Sequence, residues 1–158
     1  MIILGIDPGI ADTGFGVVEK QGDNYTEIDH GSISTLKSDS LAKRLQELYR
    51  ELTKLIKKHN PERVAIEQLF FAKNVKTAIT VAHARGVVLL AAQTAKCEIA
   101  EFTPLQIKQA LTGYGAADKR QMQEMTKITL KLKTIPKPDD AADALAIAIC
   151  CGQTKQYA

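Results

Sequence analysis

Apolar residues along this chain fall into two kinds of run. Short continuous runs closed by turn residues read as buried strands, and runs spaced by three and four read as helices. Ile2 to Ile6 is a short apolar run that meets Asp7-Pro8-Gly9, which predicts a first strand ending in a carboxylate. Thr13 to Glu19 predicts a second strand and Tyr25 to Thr35 a more exposed third, with Gln21-Gly22-Asp23-Asn24 as the hairpin turn. Leu41, Leu45, Leu48, Leu52, Leu55 and Ile56 recur at helical spacing, after N-cap candidates at Ser38-Asp39-Ser40 and before the stop at Asn60-Pro61. Arg63 to Glu67 predicts a fourth strand, again closed by a carboxylate, and Val75 to Ala95 a long Ala-rich helix with Gly86 inside it. A short strand at Cys97 to Ala100 precedes a helix at Pro104 to Leu111, a loop at Gly113-Tyr114-Gly115 and a basic helix at Lys119 to Leu132. Pro136-Lys137-Pro138 breaks the chain before a last helix, Asp139 to Cys151. Three hairpin-linked strands followed by strand–helix crossovers predict an α/β fold, one five-stranded mixed sheet covered by helices.

Composition narrows the class. With 158 residues, 45% hydrophobic and 25% charged, the chain reads as a single globular domain over 1–158. These values exclude a disordered chain, a collagen and a disulfide framework. The longest uncharged apolar runs, such as Gly86 to Ala92, fall short of the ~20 residues a bilayer needs, so no membrane partner is expected. The N-terminus has no basic stretch and meets Asp7 at once, unlike a signal peptide. The three Cys (97, 150 and 151) include no C-x-x-C pair, and the three His (30, 59 and 83) are scattered. Both facts predict a reducing, cytoplasmic setting with buried thiols and no zinc site.

The net charge of +3 hides an uneven distribution. Residues 1–39 carry net −5 and residues 139–158 net −2, while 40–103 and 104–138 carry +5 each. Acidic ends and a basic middle, folded together, can set an acidic pocket within a basic surface. That suits a metal-dependent enzyme on a polyanion, although a plain solvated surface has the same tally.

The carboxylates sharpen the reading. Asp7 and Glu67 close two hydrophobic strands, at the sheet edge where α/β sheets bind ligands. Asp140 and Asp143 stand at i and i+3 on an otherwise apolar helix, so they share one face. Asp139 is expected to cap that helix. Unpaired buried charge is costly, and a cation would offset both that cost and the mutual repulsion. Oxygen donors without His or Cys favour Mg²⁺ first and Mn²⁺ second, with two ions suited to phosphodiester hydrolysis.

Five blocks then carry a resemblance. They are Ile3-Leu-Gly-Ile-Asp7-Pro-Gly with Thr13-Gly-Phe-Gly-Val; Ala65-Ile-Glu67-Gln-Leu-Phe70-Phe-Ala-Lys-Asn74; Ala84-Arg-Gly86-Val; Gln106-Ile-Lys108-Gln-Ala; and Asp140-Ala-Ala-Asp143-Ala-Leu-Ala. In this order the chain resembles the RuvC family of Holliday junction resolvases, in the ribonuclease-H-like superfamily. The resemblance implies that Asp7, Glu67, Asp140 and Asp143 are the catalytic, metal-holding residues. It implies that Phe70 stacks on a base at the crossover and that Lys108 and Lys119 approach the scissile strand, with Lys73, Lys76 and Arg120 as further DNA contacts. It implies paired nicks in a four-way junction leaving 5′-phosphate and 3′-hydroxyl ends, a homodimer through the long second helix, and partnership with RuvA and RuvB.

Other readings share some of these residues. Asp7-Pro-Gly9 with Thr13-Gly14 also matches the phosphate loop of an ATP-binding actin or sugar-kinase lobe, although 158 residues hold only one lobe. A ribonuclease-H-like nuclease on another nucleic acid, or a junction-binding module without chemistry, would keep much of the same pattern.

Overall fold

The computed structural model describes residues 1–69 and 75–154. All ten predicted elements are present: β1 (Ile2–Asp7), β2 (Asp12–Gln21), β3 (Asn24–Ser34), α1 (Leu41–His59), β4 (Arg63–Glu67), α2 (Val75–Thr94), β5 (Glu98–Phe102), α3 (Pro104–Thr112), α4 (Lys119–Thr129) and α5 (Asp139–Gln153). The sheet runs β3-β2-β1-β4-β5. β1, β2 and β3 pair antiparallel, and β1-β4 and β4-β5 pair parallel. This is the five-stranded mixed sheet of the ribonuclease-H-like fold.

Strand alternation decides what each face carries. On one face Leu4, Ile6, Val17, Val64 and Ile66 pack with Leu48, Leu52 and Ile56 of α1 and Ala84 and Val88 of α2. On the other, Ile3, Val18, Ala65, Ala100 and Phe102 pack with α5, Ile107 and Leu111 of α3 and Leu130 after α4. Full burial of a Leu such as Leu48 or Leu52 contributes about 1.5–3 kcal/mol. Helices therefore cover both faces. α5 is apolar all round, because it lies between the sheet and α3 and α4.

Local chemistry sets the helix ends. Ser40 accepts from the Lys43 N–H, Asn60 closes α1 in the left-handed region at φ 47°, and Thr103 with Gln106 forms a capping box on α3. Several element ends differ from the sequence expectation by a residue or two, and three differences have a plain physical reason. The basic helix stops at Thr129, not Leu132, because Leu130 turns into the core and Lys131 takes φ 56°. The last strand runs Glu98–Phe102 rather than from Cys97 to Ala100, since its pairing with β4 extends to Glu67↔Phe102. Asp139 is not the cap of α5: Pro138 holds that place without a side-chain bond, and Asp139 is the first helical residue. Cys150 and Cys151 are buried as expected, while Cys97 is only partly so.

α2 is long and apolar enough, by length and composition alone, to cross a membrane. Its inner face is spent on the core through Ala84, Val88, Ala91 and Ala92, and Arg85 at mid-helix pairs with Glu101 of β5. Val75, Ile79, Ala82, His83, Gly86 and Leu90 are exposed and recur at helical spacing, which gives α2 a second, outward apolar face.

Candidate active site

The parity of β1 points Asp7 at α5. Ile3 and Gly5 precede it on that face, with Ile3 in the α5 core and a Cβ on Gly5 falling 2.8 Å from the Ala148 backbone nitrogen. The same parity in β4 runs Arg63, Ala65, Glu67. β1 and β4 are parallel neighbours, so both carboxylates reach the same end of the sheet on the same face. α5 then lies across β1 and β2 with its N-terminal turns at that end. Its approach depends on glycines: a Cβ at Gly16 would fall 2.7 Å from the Leu145 side chain, and one at Gly14 2.8 Å from the Asp140 Cβ. The turn after Asp7 is clamped by the buried Thr13, whose Oγ1 donates to the Gly9 carbonyl (2.6 Å) and accepts from the Gly9 N–H (3.3 Å).

Carboxylate oxygens of Asp7, Asp140 and Asp143 thereby lie within 4.8 Å of one another. Glu67 stands outside that tight triad but lines the same cleft, a hollow of about 290 Å³ bounded also by Asp143, Lys108, Lys119 and Asp118. The groups feel one another strongly. Burial first, then repulsion from Asp143, Asp140 and Glu67, pushes the Asp7 carboxyl up to about 7. Burial and Asp143 raise Glu67, against a smaller opposing pull from Lys108. Asp143 is also raised, chiefly by burial, with Lys119 opposing. Converging carboxylates that resist ionisation are a donor set for a hard divalent cation, whose charge removes the repulsion that raises them.

The basic residues separate into two groups. Lys108 and Lys119 border the cleft. Lys119 pairs with Asp139 (3.2 Å), and that bond and Asp143 raise its pKa. Arg120 faces away, beside Tyr114 and Glu124 in a separate hollow, and Lys76 is exposed on the first turn of α2. Phe70 and Lys73 lie outside the described residues. Sequence reasoning missed the Thr13 clamp, the Asp139–Lys119 pair and the glycine contacts. Only the glycines left a signal: Gly14 and Gly16 alternate on one strand face.

A ribonuclease-H-like sheet with clustered carboxylates at one end defines a metal-dependent nuclease. A family profile described as "Crossover junction endodeoxyribonuclease RuvC" matches residues 3–151. The crossover junction endodeoxyribonuclease RuvC of Ruminiclostridium cellulolyticum is 54% identical over 154 residues, covering 98% of this chain and 93% of that protein. The solved structure of Thermus thermophilus RuvC superposes with a TM-score of 0.90 at 35% identity, covering 97% of this chain and 94% of that one. A structure of the same protein in complex with its Holliday junction substrate superposes at 0.89 with 32% identity, covering 97% and 94%. The chain belongs to the RuvC family of crossover junction endodeoxyribonucleases. That membership, along nearly the whole length, displaces the ATP-binding-lobe reading.

Proposed function

We propose that this chain resolves four-way DNA junctions by metal-dependent nicks placed in pairs, within DNA recombination and repair. One observation carries the reading: carboxylates from β1 and α5 converge at one end of a ribonuclease-H-like sheet, on a cleft bordered by lysines. Asp7, Glu67, Asp140 and Asp143 hold the metal, two Mg²⁺ or Mn²⁺ ions per site. When bound, the ions supply an activated water at neutral pH and stabilise charge on the leaving oxygen. Lys119 and Lys108 hold the scissile phosphate against the acidic cluster, which would otherwise repel it. Phe70 stacks on a base at the crossover, an interaction worth ~1–3 kcal/mol. Lys73, Lys76 and Arg120 contribute backbone contacts further out.

Two copies join through the outward face of α2, where Ile79, Gly86 and Leu90 stand exposed. Ala78, Ala91 and Ala92 are already buried against the chain's own core, so they are not part of that face. A twofold dimer presents two clefts to twofold-related strands, and RuvA and RuvB, by family, deliver the junction. The test is a panel of junction, linear duplex and RNA–DNA hybrid with Mg²⁺ or chelator, on wild type and Asp7→Asn. Paired 5′-phosphate-ended nicks in the junction, abolished by chelator and by Asp7→Asn with binding retained, are expected. Nicking by Asp7→Asn at the wild-type rate refutes the site, and preference for the hybrid refutes the substrate.

A further inference from the structure

We propose that Arg85 is a positioning residue for Glu67: it holds the end of β4 to α2 and β5, and so sets where the Glu67 carboxylate meets the metal. This rests on the reading of Glu67 as a metal ligand.

Three observations support it. The β1–β4 ladder stops at the Ile6↔Ile66 pair, one residue short of Glu67, so Glu67 pairs with Phe102 on the β5 side and not with β1. Arg85 Nε, coming from α2, donates to the Glu67 carbonyl at 3.4 Å, and Arg85 Nη2 pairs with the Glu101 carboxylate on the neighbouring strand. One planar fork thus ties the last residue of β4 to β5 and to a helix two turns and more from its own start. On the far side of Glu67, Gln68 N–H donates to the Phe102 carbonyl at 2.8 Å, so the strand end is held from both directions.

The charge arrangement shows that Arg85 acts through the backbone. A guanidinium this near a carboxylate would ordinarily become its counter-ion and compete with a metal. Here the Arg85 guanidinium pairs with the Glu101 carboxylate and meets Glu67 at its main-chain carbonyl. Among the described residues no hydrogen bond reaches the Glu67 carboxylate, while its main chain is anchored. Arg85 also lines a second hollow with Pro8 and Val81 that shares Asp7, Glu67 and Pro104 with the cleft bordered by Lys108 and Lys119. Its side chain is 19% exposed, so most of its surface is spent on contacts within the protein. A ligand displaced by a fraction of an ångström weakens a carboxylate site that demands near-ideal geometry.

The test compares Arg85→Ala, Arg85→Lys and Glu67→Gln in the full-length protein. Mn²⁺ affinity without DNA is read by electron paramagnetic resonance, and the Mg²⁺ dependence of nicking is read separately. Sedimentation reports the oligomer, and junction affinity is measured in Ca²⁺. Arg85→Ala is expected to weaken Mn²⁺ binding and raise half-saturating Mg²⁺ about fivefold or more, with most of the maximal rate recovered at saturation. Oligomer and junction affinity stay at wild-type values. Arg85→Lys keeps the charge opposite Glu101 but cannot grip both partners, so it folds normally and still shifts the metal dependence. Wild-type Mn²⁺ affinity in Arg85→Lys, with Glu67→Gln weakened, overturns the inference. Wild-type Mn²⁺ affinity in Glu67→Gln overturns the reading beneath it instead. Loss of the oligomer in both Arg85 variants would make the role merely structural and also overturn the proposal.

Discussion

Gly14 and Asp140 touch where no side chain fits between them: a Cβ on Gly14 would fall 2.8 Å from the Asp140 Cβ and closer still to its carbonyl oxygen. β2 and the first turn of α5 meet backbone to backbone at this point. The separation of Asp140 from Asp7 is therefore governed by a residue with no functional group. Gly14→Ala should push the start of α5 outward, at a cost of about 1–3 kcal/mol in stability. A displacement near 1 Å at a catalytic constellation should lower nicking by about 10²-fold. Thermal melts and single-turnover nicking check this, and a variant that nicks at the wild-type rate shows that the site tolerates the shift.

Asp7 links the acidic cluster to folding. Its pKa stands near 7 in the folded protein against 3.8 ordinarily, so between those values the folded state holds a proton that the unfolded chain has released. Its contribution to the stability of the metal-free protein should therefore fall as pH rises from about 4 to 7, and stay low above that. Asp7→Asn should be the more stable protein at pH 8 in chelator, by up to about 4 kcal/mol, with the difference vanishing below about pH 4. Saturating Mg²⁺ should restore wild type toward the variant. Melting curves in EDTA across this range provide the check, and a parallel pH response in both proteins contradicts it.

Metal binding to the same cluster must displace that proton. Calorimetric titration with Mg²⁺ near pH 6.5, in buffers of different ionisation enthalpy, should show close to one proton released per protein, declining toward pH 8.5. No buffer dependence at either pH would mean that Asp7 is already ionised in the metal-free state.

Lys119 is held by Asp139 at 3.2 Å in the free protein, with both side chains largely exposed. An exposed pair of this kind contributes only ~0–1 kcal/mol to stability. Asp139→Ala should leave melting unchanged and tighten junction binding two- to fivefold at low salt, since the carboxylate paired with the ammonium is gone. Lys119→Ala should weaken binding and reduce the slope of log K against log salt by about 0.9. Electrophoretic or anisotropy titrations at several salt concentrations read both.

The outward face of α2 offers a test of assembly. Ile79→Asp or Leu90→Asp places a charge where an exposed apolar residue now stands. The dimer proposed above should give way to the 17.3 kDa monomer in sedimentation, and paired nicks should become single ones. A variant that stays dimeric locates the interface elsewhere.

Much of this molecule was legible in its residue order. Short apolar runs closed by turn residues, together with helical spacing, placed all ten elements, and the alternation Ile3, Gly5, Asp7 already contained the fact that Asp7 shares a face with whatever covers that side of the sheet. The i, i+3 spacing put Asp140 and Asp143 together, because helix geometry is local. Tertiary structure alone decided what lay between distant segments. That α5 settles on β1 and β2, bringing its aspartates to within 4.8 Å of Asp7 while Glu67 stands slightly apart, follows from glycines whose role is the volume they leave empty. That Asp139 meets Lys119 instead of capping its helix, and that Arg85 spends its charge on Glu101, depended on which long side chains the packed helices brought within reach. Chain pattern encodes direction and periodicity within an element. Distances between elements are set by close packing, which no single segment contains.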